Sequence, residues 1–583
     1  MAFIFVDSDN FLAIQDGYSE RKVIGNIGGQ FDPVTRLWKV SFTSFNLGYL
    51  LDNMKEPKVA EDIEAHVLRL QKREQTLAQI RAMSKSDVPV RIKIPGLKLP
   101  LYNYQKLGVM FAVTNGFGTL VADEMGLGKT LQAIAAAVYL KAKGIVRTAL
   151  IVTPASLKFN WSIEIDKFTD EKYVVIDGSP EERIVQWLRE DVFFHIVNYE
   201  LLLEDLFGGR QFKEKKDETP EAKQRRELLK AKAKQRERIL EPIRNRMWDF
   251  MAIDEAHLIK SHSSHRARNV KLMRAHFRMA LTGTPMDGRL EELYSVMAFV
   301  APGLLGSKTR FFHRHVETDS YGRVTGYKRI GEVTKRIEPF FIRRLKKEVL
   351  RDLPDKIYEN RVILLSPEER KIYTELTKGG HEATKDEEAI VAVIRCKQFC
   401  NWPQMVDDLC EKSSKMESFE GVVDEVVLQN THKALVFSQY KEMLNIIVKV
   451  LDKMGVKYLR IDGDTPSRER VRLQQQFNSD SKIDMMVGTE AMSLGFNFTS
   501  ADYVINYDDN WSPSVMGQRE DRCHRVGQKN VVTVVSFVCR DTIEERIRGV
   551  IYGKNRITAQ VLGDETDEMI LRRLNPKDIA RLL

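Results

Sequence analysis

No apolar run in this 583-residue chain approaches the ~20 residues needed to span a bilayer. The opening MAFIFVDSDNFLAI also lacks a basic leader region, so the sequence predicts a soluble, intracellular protein with no membrane partner. Cysteine is scarce. Five residues, an odd number scattered late in the chain, exclude a disulfide framework and fit a reducing compartment. Cys396, Cys400 and Cys410 lack the C-x-x-C pair that zinc sites use, so buried thiols are expected rather than a metal held by cysteine. Charge of one sign is not dominant either. The 91 basic and 82 acidic residues leave +9, which suits an anionic partner without identifying one. What is present is 43% hydrophobic content in a chain too long for one core, which predicts a multidomain enzyme.

Residues 1–95 alternate apolar and polar in FIFVDSDNFLAI and RLWKVSF, then turn helical, and read as a small α+β accessory module. From 96 to 300 the texture changes. Short buried-strand runs (TLVAD, TALIVTP, FHIVNYE, FMAIDEAH) alternate with helical patterns, as a parallel sheet with crossover helices requires. A helical, charge-rich stretch covers 301–430. A second set of runs (KALVFSQ, YLRIDG, KIDMMVGT, DYVINYD, VTVVSFV) makes 431–583 another α/β lobe with a C-terminal helical tail. Between Lys213 and Arg246 thirteen basic and seven acidic residues form a charged insertion, read as a solvated helical hairpin, with a DNA-contacting arm as the alternative.

After the strand GTLVAD comes DEMGLGKT, residues 123–130, a strand turning through glycines into a helix as a phosphate loop does. Asp123 stands where the first glycine of the usual pattern would be. The expected ATP-binding set is Asp123, Glu124, Met125, Gly126, Leu127, Gly128, Lys129 and Thr130. Lys129 can reach the β- and γ-phosphates, and Thr130 can offer its hydroxyl to Mg²⁺. In MAIDEAH an apolar strand delivers Asp254 and Glu255 to its C-terminal end, the first for Mg²⁺ and the second to orient and deprotonate the attacking water. His257, His262 and His265 match no common metal spacing, and His257 is expected to hydrogen-bond within the lobe. In QREDRCHRVGQ, a helix would set Gln518, Arg522 and Arg525 at i, i+4 and i+7 on one face, toward an anion; a solvated basic helix is the plainer reading.

The order of these motifs resembles the Swi/Snf-type ATPases of helicase superfamily two across about residues 97–555. LYNYQKLGVMFAV, IVTPASLKFNW, LTGTPMDGRLEELYSVMAFV, FFIRRLKKEVLRDLPDK, VGTEAMSLGFNFTSADYVINYDDNWSP and QREDRCHRVGQ carry the likeness. The resemblance implies two RecA-like parallel-sheet lobes, ATP and Mg²⁺ as cofactors, and double-stranded or forked DNA as partner. It implies that Gln105 reads the adenine, that Gln518 joins the nucleotide site, and that Thr153, Pro154, Thr282, Thr284 and Trp511 meet DNA. It also implies that Arg522 and Arg525 join Lys129 and Glu255 in catalysis. The implied function is an ATP-dependent DNA translocase or remodeller, with a strand-separating DNA or RNA helicase and a non-hydrolysing DNA-binding scaffold as alternatives. Phe31, Asp32, Thr35 and Trp38 in the N-terminal stretch resemble the HepA-related module of the annealing, fork-remodelling branch, which would imply a role in DNA repair or replication.

Overall fold

A computed structural model of the protein describes residues 2–6, 11–27, 29–32, 35–83, 90–207, 220–286, 289–321, 324–350, 353–381, 386–407, 410, 412–493, 496–510, 512–525 and 527–548. By internal contacts the chain forms two units, Met1–Val349 and Leu350–Leu583, so the division falls inside the charge-rich 301–430 stretch. No described helix is long and apolar enough to cross a membrane. Trp511, residues 213–219 of the charged insertion and the C-terminal tail beyond 548 lie outside the described residues.

The first unit is built on a seven-stranded sheet in the order Phe341–Ile342, Gly118–Val121, Arg274–Leu281, Met247–Ile253, Ala149–Thr153, Phe194–Asn198, Tyr173–Val175. Every neighbouring pair is parallel. Central strands such as ALIVT are buried along their whole length because helices cover both faces, which is why they read as continuous apolar runs. Each fully buried Val, Leu or Ile contributes roughly 1.5–3 kcal/mol to that layer.

The N-terminal five-stranded sheet packs on helices Ser44–Asn53 and Ile63–Met83, with Ile4, Leu12, Ile14 and Leu50 in its core. The Ser44–Asn53 helix starts where the Thr43 hydroxyl accepts from Asn46 N at 3.0 Å. The Ile63–Met83 helix belongs to two cores: Leu70 packs in the module, whereas Leu77 and Ile80 pack in the lobe. Arg81 pairs with Glu338 at 2.5 Å, and the Arg73 guanidinium lies over the Phe117 ring. The module is therefore docked on the lobe by a shared helix. Within the charged insertion, one helix runs over Pro220–Asn245, anchored by buried Leu240 and by Arg236 donating to the Glu204 carbonyl.

The second unit carries a six-stranded sheet, also all parallel, in the order Lys356–Ile363, Val532–Cys539, Tyr503–Asn506, Ala434–Phe437, Met485–Gly488, Tyr458–Ile461. The molecule is thus α/β with two parallel-sheet lobes and an N-terminal α+β module.

Candidate active site

The Gly118–Val121 strand hands the chain to the glycine loop, and the helix Lys129–Ala142 leaves it. Gly126 and Gly128 adopt φ of 84° and 73°, a left-handed turn that side chains with a Cβ rarely take. A Cβ on Gly128 would also stand 2.5 Å from Gln105 Nε2. Gln105 braces this loop, donating to the Leu127 carbonyl at 3.2 Å while accepting from Tyr102 N at 3.1 Å. Lys129 Nζ donates to the carbonyls of Asp123 and Glu124 at 2.9 and 3.3 Å, so the ammonium sits in the concavity of the loop. Thr130 follows it in the first turn of a helix whose N-terminus favours anions. Met125 and Leu127 are buried, so they offer the site backbone rather than side chain.

Asp254 follows the Met247–Ile253 strand. Its carboxylate accepts from Trp161 Nε1 at 2.8 Å, Thr153 Oγ1 at 3.4 Å and Glu255 N at 2.9 Å. Burial first, and the Glu255 charge second, push the Asp254 carboxyl above its ordinary value, while Lys129 and the Trp161 hydrogen bond hold it down. The Gly118–Val121 and Met247–Ile253 strands flank Arg274–Leu281 in parallel, so their C-terminal ends bring the phosphate loop and the acidic pair to the same edge of the sheet. Glu255 is a non-glycine residue at φ 47°, a conformation costing about 1–3 kcal/mol that clusters at functional sites. A His257 ring nitrogen stands 3.1 Å from its carboxylate, and Tyr199 donates its hydroxyl to the Asp254 carbonyl at 2.7 Å. The hard oxygens of Asp254 and Thr130 are a donor set suited to Mg²⁺. The LTGTP loop lies against the phosphate loop: a Cβ on Gly283 would lie 2.7 Å from Met125 and 3.5 Å from Lys129 Nζ.

Three expectations need correction. Asp123 does not face phosphate. It is fully buried, paired through both oxygens with Arg344 and accepting from Gln132 Nε2 at 2.9 Å. Glu124 is similarly committed, accepting from Lys346 N at 2.7 Å, and Arg343 donates to the carbonyls of Ala122 and Gly283. The FFIRRLKKE segment thus runs beside the phosphate loop, a neighbourhood the sequence reading missed; the excess of arginine beside a short strand was its only trace. The DNA assignments change next. Thr153, Pro154 and Thr282 are buried at the ends of central strands, and the Thr153 hydroxyl points to Asp254, so these side chains are turned into the lobe rather than outward. Of the described members of that set, only Thr284 is partly exposed.

The closing motif is the third correction. Its helix, Pro513–Glu520, stops before Arg522, so the i, i+4, i+7 face does not form. Buried Gln518 is in the helix, and its carbonyl accepts from Arg522 Nε at 3.0 Å. Arg522 also donates to the Phe496 carbonyl at 3.0 Å and is buried, whereas Arg525 is half-buried. Arg519, which the sequence reading passed over, is fully buried on Glu490 at 2.5 Å and on the Asp508 carbonyl at 2.7 Å.

The described cysteines are free and buried. Cys400, Cys539 and Glu544 gather within 4.8 Å, but Lys415 Nζ sits 2.6 Å from the Glu544 carboxylate, where its charge opposes a second cation.

Residues 102–412 match the SNF2-related domain, and 415–527 match the helicase conserved C-terminal domain. The chain is 30% identical over 507 residues to a putative ATP-dependent helicase/translocase, YwqA, of Bacillus subtilis, covering 83% of this chain and 51% of that protein. It is 28% identical over 493 residues to the ISWI chromatin-remodeling complex ATPase CHR11 of Arabidopsis thaliana, covering 79% and 42%. The chain spans about half the length of the curated relatives it matches. A Sulfolobus solfataricus SWI2/SNF2 ATPase core solved with dsDNA is 26% identical, with 82% of this chain and 96% of that one covered at a TM-score of 0.39.

Proposed function

This chain belongs to the SNF2-related family, and from that premise we propose that it is a DNA-stimulated ATPase that moves along duplex DNA. The observation carrying this reading is the convergence of Lys129, Asp254 and Glu255 beside one glycine loop. Lys129 and the N–H groups at the start of its helix hold the β- and γ-phosphates. Asp254 and Thr130 would hold Mg²⁺, which when bound neutralises charge developing on the phosphoryl oxygens. Glu255 orients the attacking water and takes its proton. Arg525 stabilises the transferred γ-phosphoryl group, for which a planar guanidinium suits better than an ammonium.

The names of relatives that are helicases, translocases or chromatin-remodeling ATPases support duplex DNA as the partner. The N-terminal module is the part of the chain proposed to favour forked DNA. ATP turnover is measured with and without duplex DNA across a salt series. Strong stimulation that falls steeply with salt is expected, since phosphate contacts release counterions. Equal turnover with and without nucleic acid sinks the reading. A triplex-displacement assay beside a tailed duplex separates the motor classes: displacement without unwinding is expected, and efficient unwinding favours a strand-separating helicase.

A further inference from the structure

The closing motif QREDRCHR interleaves acids with the arginines it presents: Glu520 and Asp521 stand directly between Arg519 and Arg522. A carboxylate next to a guanidinium pairs with it readily, and a paired guanidinium has its charge compensated and its donors occupied before a phosphoryl group can use them. The structure gives these acids another partner. Lys356 Nζ lies 2.8 Å from Glu520 Oε2 and 3.1 Å from Asp521 Oδ1, with all three side chains largely buried. The Tyr358 hydroxyl donates to the same Glu520 oxygen at 2.9 Å.

Lys356 opens the edge strand Lys356–Ile363, which pairs in parallel with Val532–Cys539, so sheet register sets its place. Two residues earlier, the Pro354 carbonyl accepts from His524 Nε2 at 2.7 Å. The LPDK segment therefore grips the loop at Glu520, Asp521 and His524, while Arg519 is pulled to Glu490 and Asp508, and Cys523 is in the core. Each residue from Arg519 to His524 has an anchor inside its own unit.

We propose that Lys356 is a positioning residue for the arginine loop: by holding the carboxylates of Glu520 and Asp521, it keeps them from turning onto Arg522 and Arg525. The inference rests on the ATPase reading above. Burial alone would lower the Lys356 pKa, but the Asp521 and Glu520 charges outweigh it and keep the ammonium protonated. An ammonium suits the task because its three donors can serve two acids at once. Without it, two carboxylates would be left in a largely buried place with guanidinium groups as the nearest remedy.

The test uses the full chain at saturating duplex DNA, with ATP KM and thermal midpoint measured beside kcat. Lys356→Met is expected to lower kcat by ~10-fold or more, the scale on which a displaced catalytic group acts, with ATP KM within about twofold. Adding Glu520→Gln and Asp521→Asn to Lys356→Met is expected to restore most of that loss, because amides do not neutralise arginine. Lys356→Arg, which keeps the charge, is expected to stay near wild type. Normal turnover in Lys356→Met overturns the inference, and so does a loss that merely follows the folded fraction or that the amide pair does not recover. Should Lys356→Met fail to fold, the Glu520→Gln/Asp521→Asn chain with Lys356 intact decides: the acids need only be restrained, so its turnover stays near wild type, and a tenfold loss overturns the proposal. A wild-type chain without DNA-stimulated turnover instead removes the ATPase reading itself.

Discussion

Arg344 and Asp123, 221 residues apart in sequence, meet as a two-pronged pair with both side chains fully buried. Gln132 bridges them, its amide nitrogen on Asp123 and its oxygen accepting from Arg344 at 2.7 Å. The place is closed on its far side by Gly108, where a Cβ would stand 2.0 Å from Gln132 Oε1. Asp123 thus fastens the start of the phosphate loop to the segment that ends the first unit. Asp123→Ala or Arg344→Met leaves one buried charge alone and should destabilise the first unit by about 3–5 kcal/mol. Denaturant unfolding followed in that unit checks this, and an unchanged midpoint would refute the pairing. The double variant should lose less than the two single losses added together.

At the phosphate loop, Lys129→Ala should abolish turnover and weaken ATP binding, since the Lys129 ammonium sits where the loop turns inward. Glu255→Gln should abolish turnover while ATP still binds, because the phosphates are held from the loop and not from this carboxylate. Turnover assays beside equilibrium binding of a fluorescent ATP analogue separate the two. Measurable hydrolysis by Glu255→Gln would remove Glu255 as the base.

The two arginines of the closing motif should part company. Arg525→Ala is expected to lower kcat by about 10³ or more with ATP binding preserved, and Arg525→Lys to rescue little. Arg522 binds the carbonyls of Gln518 and Phe496, so Arg522→Ala should also lower the thermal midpoint of the second unit. Near-normal turnover in both alanine variants would return the segment to a structural role.

His195 gives the first unit a pH dependence. Burial pushes its pKa down to about 4, and its Nε2 donates to the Arg189 carbonyl at 3.0 Å, so the ring is neutral in the folded state. The unfolded value is about 6.5, so the unfolded chain takes the proton first as pH falls. Its contribution is full above about 6.5 and is lost as pH drops toward about 4. Denaturation at pH 7 and pH 5 should show the decline, and His195→Gln should flatten it. An unchanged slope in that variant would exonerate His195.

Truncation tests the docking helix. All nucleotide motifs follow Tyr102, so the sequence alone predicts that removing residues 1–95 spares ATPase activity. Leu77 and Ile80 lie in the lobe core, however, and losing them should cost roughly 1.5–3 kcal/mol each. Removal of residues 1–59, which leaves the Ile63–Met83 helix, should spare the lobe better. Equal melting midpoints for both truncations would show that the helix contributes nothing.

The sequence by itself determined the two parallel-sheet lobes, because strands buried on both faces must be apolar throughout and their helices periodic. It also marked the glycine loop, Lys129, Asp254 and Glu255 as one candidate site, because such a proposal needs only residue types within short stretches that follow strands. Tertiary structure decided the rest, since contacts between distant segments leave no local spacing. Only the fold shows that Asp123 faces Arg344 rather than a phosphate, that Thr153 turns to Asp254, and that Lys356 holds Glu520 and Asp521. The closing helix ends at Glu520, and the Arg522 guanidinium is taken up by nearby carbonyls. A charged side chain in sequence is equally ready to meet a ligand or a buried partner; which one it meets is set by the packing that removes water from around it.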